Sequence, residues 1–181
     1  MFSMMFSRYK LAVVLLAAAA PALAGPESEG PQAHPIPPQS GFVLSVDELG
    51  PGSAALLRGD YDAAIEAAQR ANRLGRSLSA ELTLCAAHIG RNSLDEAVSA
   101  CDRAVDSAQS QITTLRNPHG HTNRLGLAKA YSNRGILRVL RGELQAAAAD
   151  FAKALRQQRH TAVVAHNARR GQALSSVARA N

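Results

Sequence analysis

The chain has 181 residues, enough for one modest domain behind an export leader, and it carries a net charge of +6. Aromatic residues make up only 4% of it, with no tryptophan, so a wide sandwich or barrel core is excluded and thin helix-on-helix packing is favoured. No run alternates β-branched and aromatic residues with polar ones in the manner of strands.

Arg8 and Lys10 precede an apolar run, Leu11 to Ala20, which ends in Pro21-Ala22-Leu23-Ala24. A basic start, a short apolar centre and an A-x-A end predict a secretory signal peptide at residues 1–24, cleaved after Ala24. The run is short for a permanent membrane helix. The mature chain is expected in the periplasm or outside the cell. Pro26, Pro31, Pro35, Pro37 and Pro38 follow, so 25–44 reads as an extended, disordered lead with little to bury. Phe42, Val43, Leu44 and Val46 form a short apolar run expected to dock on the first helix pair.

From residue 45 onward the chain shows helical periodicity. Pro51 opens a short helix to about Arg58; a second runs from Tyr61 to Leu74, where Gly75 stops it. Asp60, Asp62 and Glu66 are surface carboxylates at that helix start, where negative charge suits the helix dipole. The next pair is expected from Ser79 to Gly90 and from Leu94 to about Ser110. The turns align as Arg58-Gly59-Asp60-Tyr61, Arg91-Asn92-Ser93-Leu94 and Arg141-Gly142-Glu143-Leu144. Each places Gly or Asn where positive φ is required. An insertion lies at about 106–124. In it, Asn117-Pro118-His119-Gly120 signals a turn, and Thr122 or Asn123 can cap a long helix reaching about Arg141. Leu144 to Leu155 places Leu144, Ala147, Ala148, Phe151, Ala154 and Leu155 on one face. A last helix over 162–180 would close the stack.

The stretch Tyr131 to Leu155 carries a resemblance. YSNRG at 131–135, then Ala147-x3-Phe151 and Ala154, resembles the tetratricopeptide repeat, with its small residue in the first helix and A-x3-F in the second. Looser copies stand at Ala64-x3-Ala68 and Ala97-x3-Cys101, which are 33 residues apart. The resemblance implies an all-α, TPR-like solenoid of helical hairpins. Its repeats fall at about 45–77, 78–110 and 128–161, followed by a capping helix. In that frame Gly52, Cys85 and Gly135 are the small first-helix positions, Gly135 meets Ala147, and Cys85 and Cys101 face each other. An exported chain meets an oxidising compartment, so a Cys85–Cys101 disulfide is expected; two buried thiols are the other reading.

Charge gives the functional clue. Residues 25–115 hold 6 basic and 12 acidic residues, whereas 116–181 hold 12 basic and 2 acidic. Arg134, Arg138 and Arg141 share one helical stripe, and the resemblance places them on the inner face beside Asn133, a clamp position of carboxylate-binding repeats. The residues that complete such a clamp are missing from Leu78 to Cys85. The row suits an acidic peptide or protein partner, or is an ordinary solvated face. The expected function is a non-catalytic interaction scaffold with a basic groove formed by Asn133, Arg134, Arg138 and Arg141, without cofactor.

Phosphate loops, nucleophile elbows and zinc-protease motifs are missing, and scarce aromatics argue against nucleic acid. Two alternatives stay open: a metal-binding accessory protein using His119 and His121, and a self-associating assembly factor. His88 reads as a packing or half-exposed histidine, and His160 and His166 do not share a helix face.

Overall fold

The computed structural model describes residues 41–113 and 120–180. The leader, most of the proline-rich lead and the 117–119 turn therefore lie outside the described residues. All of those described belong to one compact unit, Pro31–Asn181.

Seven helices follow one another: α1 (Ser53–Leu57), α2 (Tyr61–Leu74), α3 (Leu78–Gly90), α4 (Leu94–Thr113), α5 (Gly120–Leu140), α6 (Leu144–Gln157) and α7 (Ala162–Ala180). The fold is all-α among the described residues. The tight turns behave as their residues dictate. Gly59, Asn92 and Gly142 all take positive φ, so each hairpin closes without strain. Asp60 caps α2 by accepting from the Ala63 N–H, and Ser77 caps α3 through Ala80.

Helix ends differ from expectation in two places. Pro51 does not enter the first helix. Gly52 is its N-cap with φ 79°, so α1 begins at Ser53. A Cβ on Gly52 would sit 2.5 Å from the Ala64 carbonyl oxygen, so the expected small residue is needed for the approach of α2. The long helix α5 begins at Gly120 rather than at Thr122 or Asn123. Asn123 donates instead to the Gln111 carbonyl and so ties the start of α5 to the end of α4.

Every helix packs on its successor, and α1, α3, α5 and α7 also touch in that order. Among the described residues α2 does not reach α4, nor α4 α6. The even-numbered helices therefore splay, and a crevice opens over α3 and another over α5. The odd-numbered helices make the opposite, continuous face. Alanines hold the layers close: Ala64, Ala68, Ala97, Ala100, Ala104, Ala147 and Ala154 are all buried. Cys85 of α3 and Cys101 of α4 are joined by a disulfide, with Cα atoms 4.6 Å apart.

Gly135 meets Phe151. A Cβ there would lie 2.8 Å from the Phe151 ring, and a Cβ on Gly171 would lie 2.4 Å from it. Phe151 is thus a knob seated between the backbones of α5 and α7. Phe42 stacks on it, with centroids 5.7 Å apart and planes 6° apart. The segment 41–46 consequently lies across α7 and α5, not on the first helix pair. Its Phe42 is a core residue, so the packed chain starts inside the stretch expected to be a loose lead.

Candidate binding face

The face made by the odd helices carries a repeated device. A carboxamide offers one acceptor and one donor, which match the N–H and C=O of a single residue in an extended chain. Asn167 of α7 accepts from the Val43 N–H at 3.0 Å and donates to the Val43 carbonyl at 2.7 Å. Asn133 of α5 does the same to Ser45, at 2.8 and 2.7 Å. In an extended strand the backbone groups of alternate residues point the same way, so two clamps spaced for residues 43 and 45 hold one edge of it. Asn133 and Asn167 stand 34 residues apart in the sequence.

Further contacts fix the strand along its length. His166 Nε2 donates to the Gly41 carbonyl at 2.8 Å, and Lys129 Nζ donates to the Val46 carbonyl at 2.6 Å. The Arg170 guanidinium lies 5.6 Å from the centre of the Phe42 ring. Asn167 is itself steadied by donating to the Ser132 hydroxyl at 2.9 Å. The chain then turns at Asp47–Gly50 toward α1.

Where the strand leaves, the face stays open. A cavity of about 370 Å³ lies between α3 and α5, lined by Leu78, Ser79, Leu82, Gly126, Lys129 and the departing Asp47 among others. The hydroxyl of Ser79, which lines it, is buried without a hydrogen-bond partner among the described residues. Buried hydroxyls are ordinarily satisfied, which marks this part of the face as able to accept further polar groups.

Of the four residues expected to line a basic groove, only Asn133 is on this face. Arg134, Arg138 and Arg141 occupy the crevice side of α5. Arg134 grips Asp150 of α6 with two bonds, Nε to Oδ2 at 2.8 Å and Nη2 to Oδ1 at 3.0 Å, and reaches Asp102 of α4 at 2.9 Å. Arg138 Nη1 is 2.7 Å from the same Asp150, and Arg141 pairs with Glu143 and Asp95. Burial opposes the charge on Arg134, but its bonds to Asp150 and Asp102 outweigh that and hold its pKa above the ordinary value. The expected basic row is therefore an ion-pair network in the crevice between α4 and α6. The spacing of the three arginines put them on one stripe correctly. It gave no direction for that stripe, and Asn133 is turned about 100° from Arg134 around the helix axis.

Two residues central to these networks escaped the sequence reading. Asp150 stands among the alanines of α6, yet it is fully buried. Asn167 lay in the helix expected to close the stack; its 34-residue distance from Asn133, close to the 33 between Ala64 and Ala97, was the available signal. His119 lies outside the described residues, as does the side chain of His121. Among those described, no cluster of three or more His, Cys, Asp or Glu could hold a metal ion, and no helix is long and apolar enough to cross a membrane. In comparisons by sequence and by structure, no family model, curated protein or solved structure matches this chain.

Proposed function

We propose that the protein is a non-catalytic interaction module of the tetratricopeptide kind, exported from the cytoplasm, that holds an extended segment of a partner on its odd-helix face. The observation that carries this reading is the open cavity beside α3, which continues the face where a pair of asparagine clamps holds the chain's own segment. One repeat apart, the clamps grip alternate residues of an extended chain through the backbone alone. A face that binds backbone in this way tolerates many side chains, which suits recognition of a strand rather than chemistry on a substrate.

The chain's own strand occupies the α5–α7 half and is anchored by Phe42 in the core, so the partner's place is the open half beside α3. The order of the odd helices, with α1, α3, α5 and α7 each touching the next, supports a solenoid of three hairpins and a cap. The disulfide and the basic, apolar, A-x-A start of the chain support export, since disulfides persist in oxidising compartments. Lys129 beside the cavity favours a partner segment that carries carboxylates.

Selection of displayed linear peptides on the mature chain tests this reading. Enriched peptides are expected to be acidic, to bind less tightly as salt rises, and to lose about tenfold in affinity on Lys129→Ala, the equivalent of about 1.4 kcal/mol. Filling the cavity by Ser79→Met is expected to abolish binding. Failure to enrich any peptide, or binding indifferent to both substitutions, overturns the proposal. Charge reversal at Arg138 is no substitute for these variants, because it would strike the buried Asp150 and read stability.

A further inference from the structure

The two crevices on the even-helix side are equivalent in the fold and differ in their balance of charge. Over α5, the guanidinium groups of Arg134 and Arg138 are matched by the carboxylates of Asp150 and Asp102. Over α3, between α2 and α4, an open cavity of about 360 Å³ remains. Arg73, Arg76 and Arg103 line it, with Glu81 the one carboxylate and His88 alongside.

Glu81 is only 1% exposed and acts as an anchor rather than as a competitor for the cavity. Its Oε1 accepts from Asn72 Nδ2 at 3.1 Å, and its Oε2 accepts from Arg103 Nε at 3.0 Å. Arg76 Nε approaches it at 3.7 Å. Arg103 is thus held by its Nε edge, which leaves its two terminal nitrogens for another acceptor. His88 Nδ1 is buried without a partner among the described residues. Three cations against one carboxylate, an unused imidazole nitrogen and an unfilled volume occur together here. In the sister crevice the charges are cancelled.

We propose that the crevice between α2 and α4 is a binding site for a compact oxyanion of the phosphate or sulfate class, held by Arg73, Arg76 and Arg103 with His88 as an additional donor. The site is separate from the strand-binding face and does not depend on it. A bound dianion makes protonation of His88 easier. In the free protein, burial first, then Arg91 and Arg103 against the opposing Glu96, hold the His88 pKa below its ordinary 6.5. The groups that face the imidazole are therefore Arg91, Arg103, Glu96 and, across the cavity, Arg73, Arg76 and Glu81. An anion adds negative charge to this set, so its binding raises the His88 pKa and tightens as pH falls through the bound-state value toward the free-state one.

Titration of the full chain with inorganic phosphate, followed by the His88 ring resonances, tests the site, with sodium chloride at matched ionic strength as control. Saturable shifts at His88 with phosphate but not chloride are expected, together with an upward move of its titration midpoint. Sulfate in place of phosphate is expected to give the same shifts, and a response to phosphate alone would narrow the class to phosphate. Arg73 is exposed and makes no ion pair among the described residues, so Arg73→Gln leaves the fold intact and is expected to weaken binding about tenfold, as loss of one charged hydrogen bond does. Arg103→Gln should weaken it further, but also frees the buried Glu81, so Arg73→Gln is the deciding variant. Equal responses to phosphate and chloride, or an Arg73→Gln chain that binds as the parent does, would overturn the assignment.

Discussion

At the scale of single residues, the asparagine clamps stand apart from the other polar groups because both ends of each are used. Asn133 is fully buried, and the Ser45 N–H and C=O that it satisfies are buried with it. Removing the carboxamide leaves two backbone groups without water and without a partner. Asn133→Ala is therefore expected to cost about 3 kcal/mol of unfolding free energy, since each stranded buried group costs on the order of 1–3 kcal/mol. Asn133→Asp should be no milder, because a carboxylate keeps the acceptor for the Ser45 N–H but sets a second acceptor against its carbonyl. Asn167→Ala should cost less, because its bonds to Val43 are only partly buried. Denaturant unfolding of the three variants gives the ranking. A loss below about 0.5 kcal/mol for Asn133→Ala would show that the strand does not depend on its clamp, because surface changes alone have effects of that size.

At the scale of elements, α3 depends most on its surroundings. Nearly every side chain from Ala80 to Ile89 is buried, so the helix has no broad solvent stripe to orient it. The disulfide to α4 fixes its rotation and depth. It closes a loop of 16 residues, which the chain-entropy argument equates with about 3 kcal/mol of stability. Reductant is expected to lower the unfolding free energy by about that amount, and Cys85→Ala with Cys101→Ala should reproduce the loss because alanine fits the close contact. A reduced chain as stable as the oxidised one would assign the pairing no structural role. Local signals made this pair of helices legible in the sequence: Asn92 for the turn, the glycine and alanine spacing for the approach, and the cysteines on facing sides. The direction of the arginine stripe on α5 was not legible, because Asp102 and Asp150 come from two other helices and define a side only after packing. The fate of the apolar run at 42–46 was hidden for the same reason. Its partners Phe151, Asn133 and Asn167 lie about a hundred residues downstream, and an apolar run does not name the surface that buries it.

At the scale of the whole molecule, the strand 41–46 works as a strap. It crosses α7 and α5 and then joins the turn that leads to α1, so it links the last helix of the stack to the first. Stacked hairpins hold together chiefly through nearest neighbours, and a terminal helix frays first because it has a neighbour on one side only. Here α7 packs on α6 and α5, and it gains a third hold from Phe42, whose ring lies against both Phe151 and Arg170. Phe42→Ala would remove that ring from the seam between α5 and α7, and a buried Phe→Ala change costs about 3–5 kcal/mol. The loss should not be shared evenly. The disulfide-bonded α3–α4 pair keeps its own contacts, whereas α7 loses the strap and faces the emptied seat beside Gly171. Hydrogen exchange is the measurement that separates the two outcomes. The variant should exchange amides of α7 much faster than the parent while those of α3 and α4 keep most of their protection. Equal acceleration in every helix would mean that the stack opens as one unit. The strap would then be one more core contact, with no special role in holding the ends of the array together.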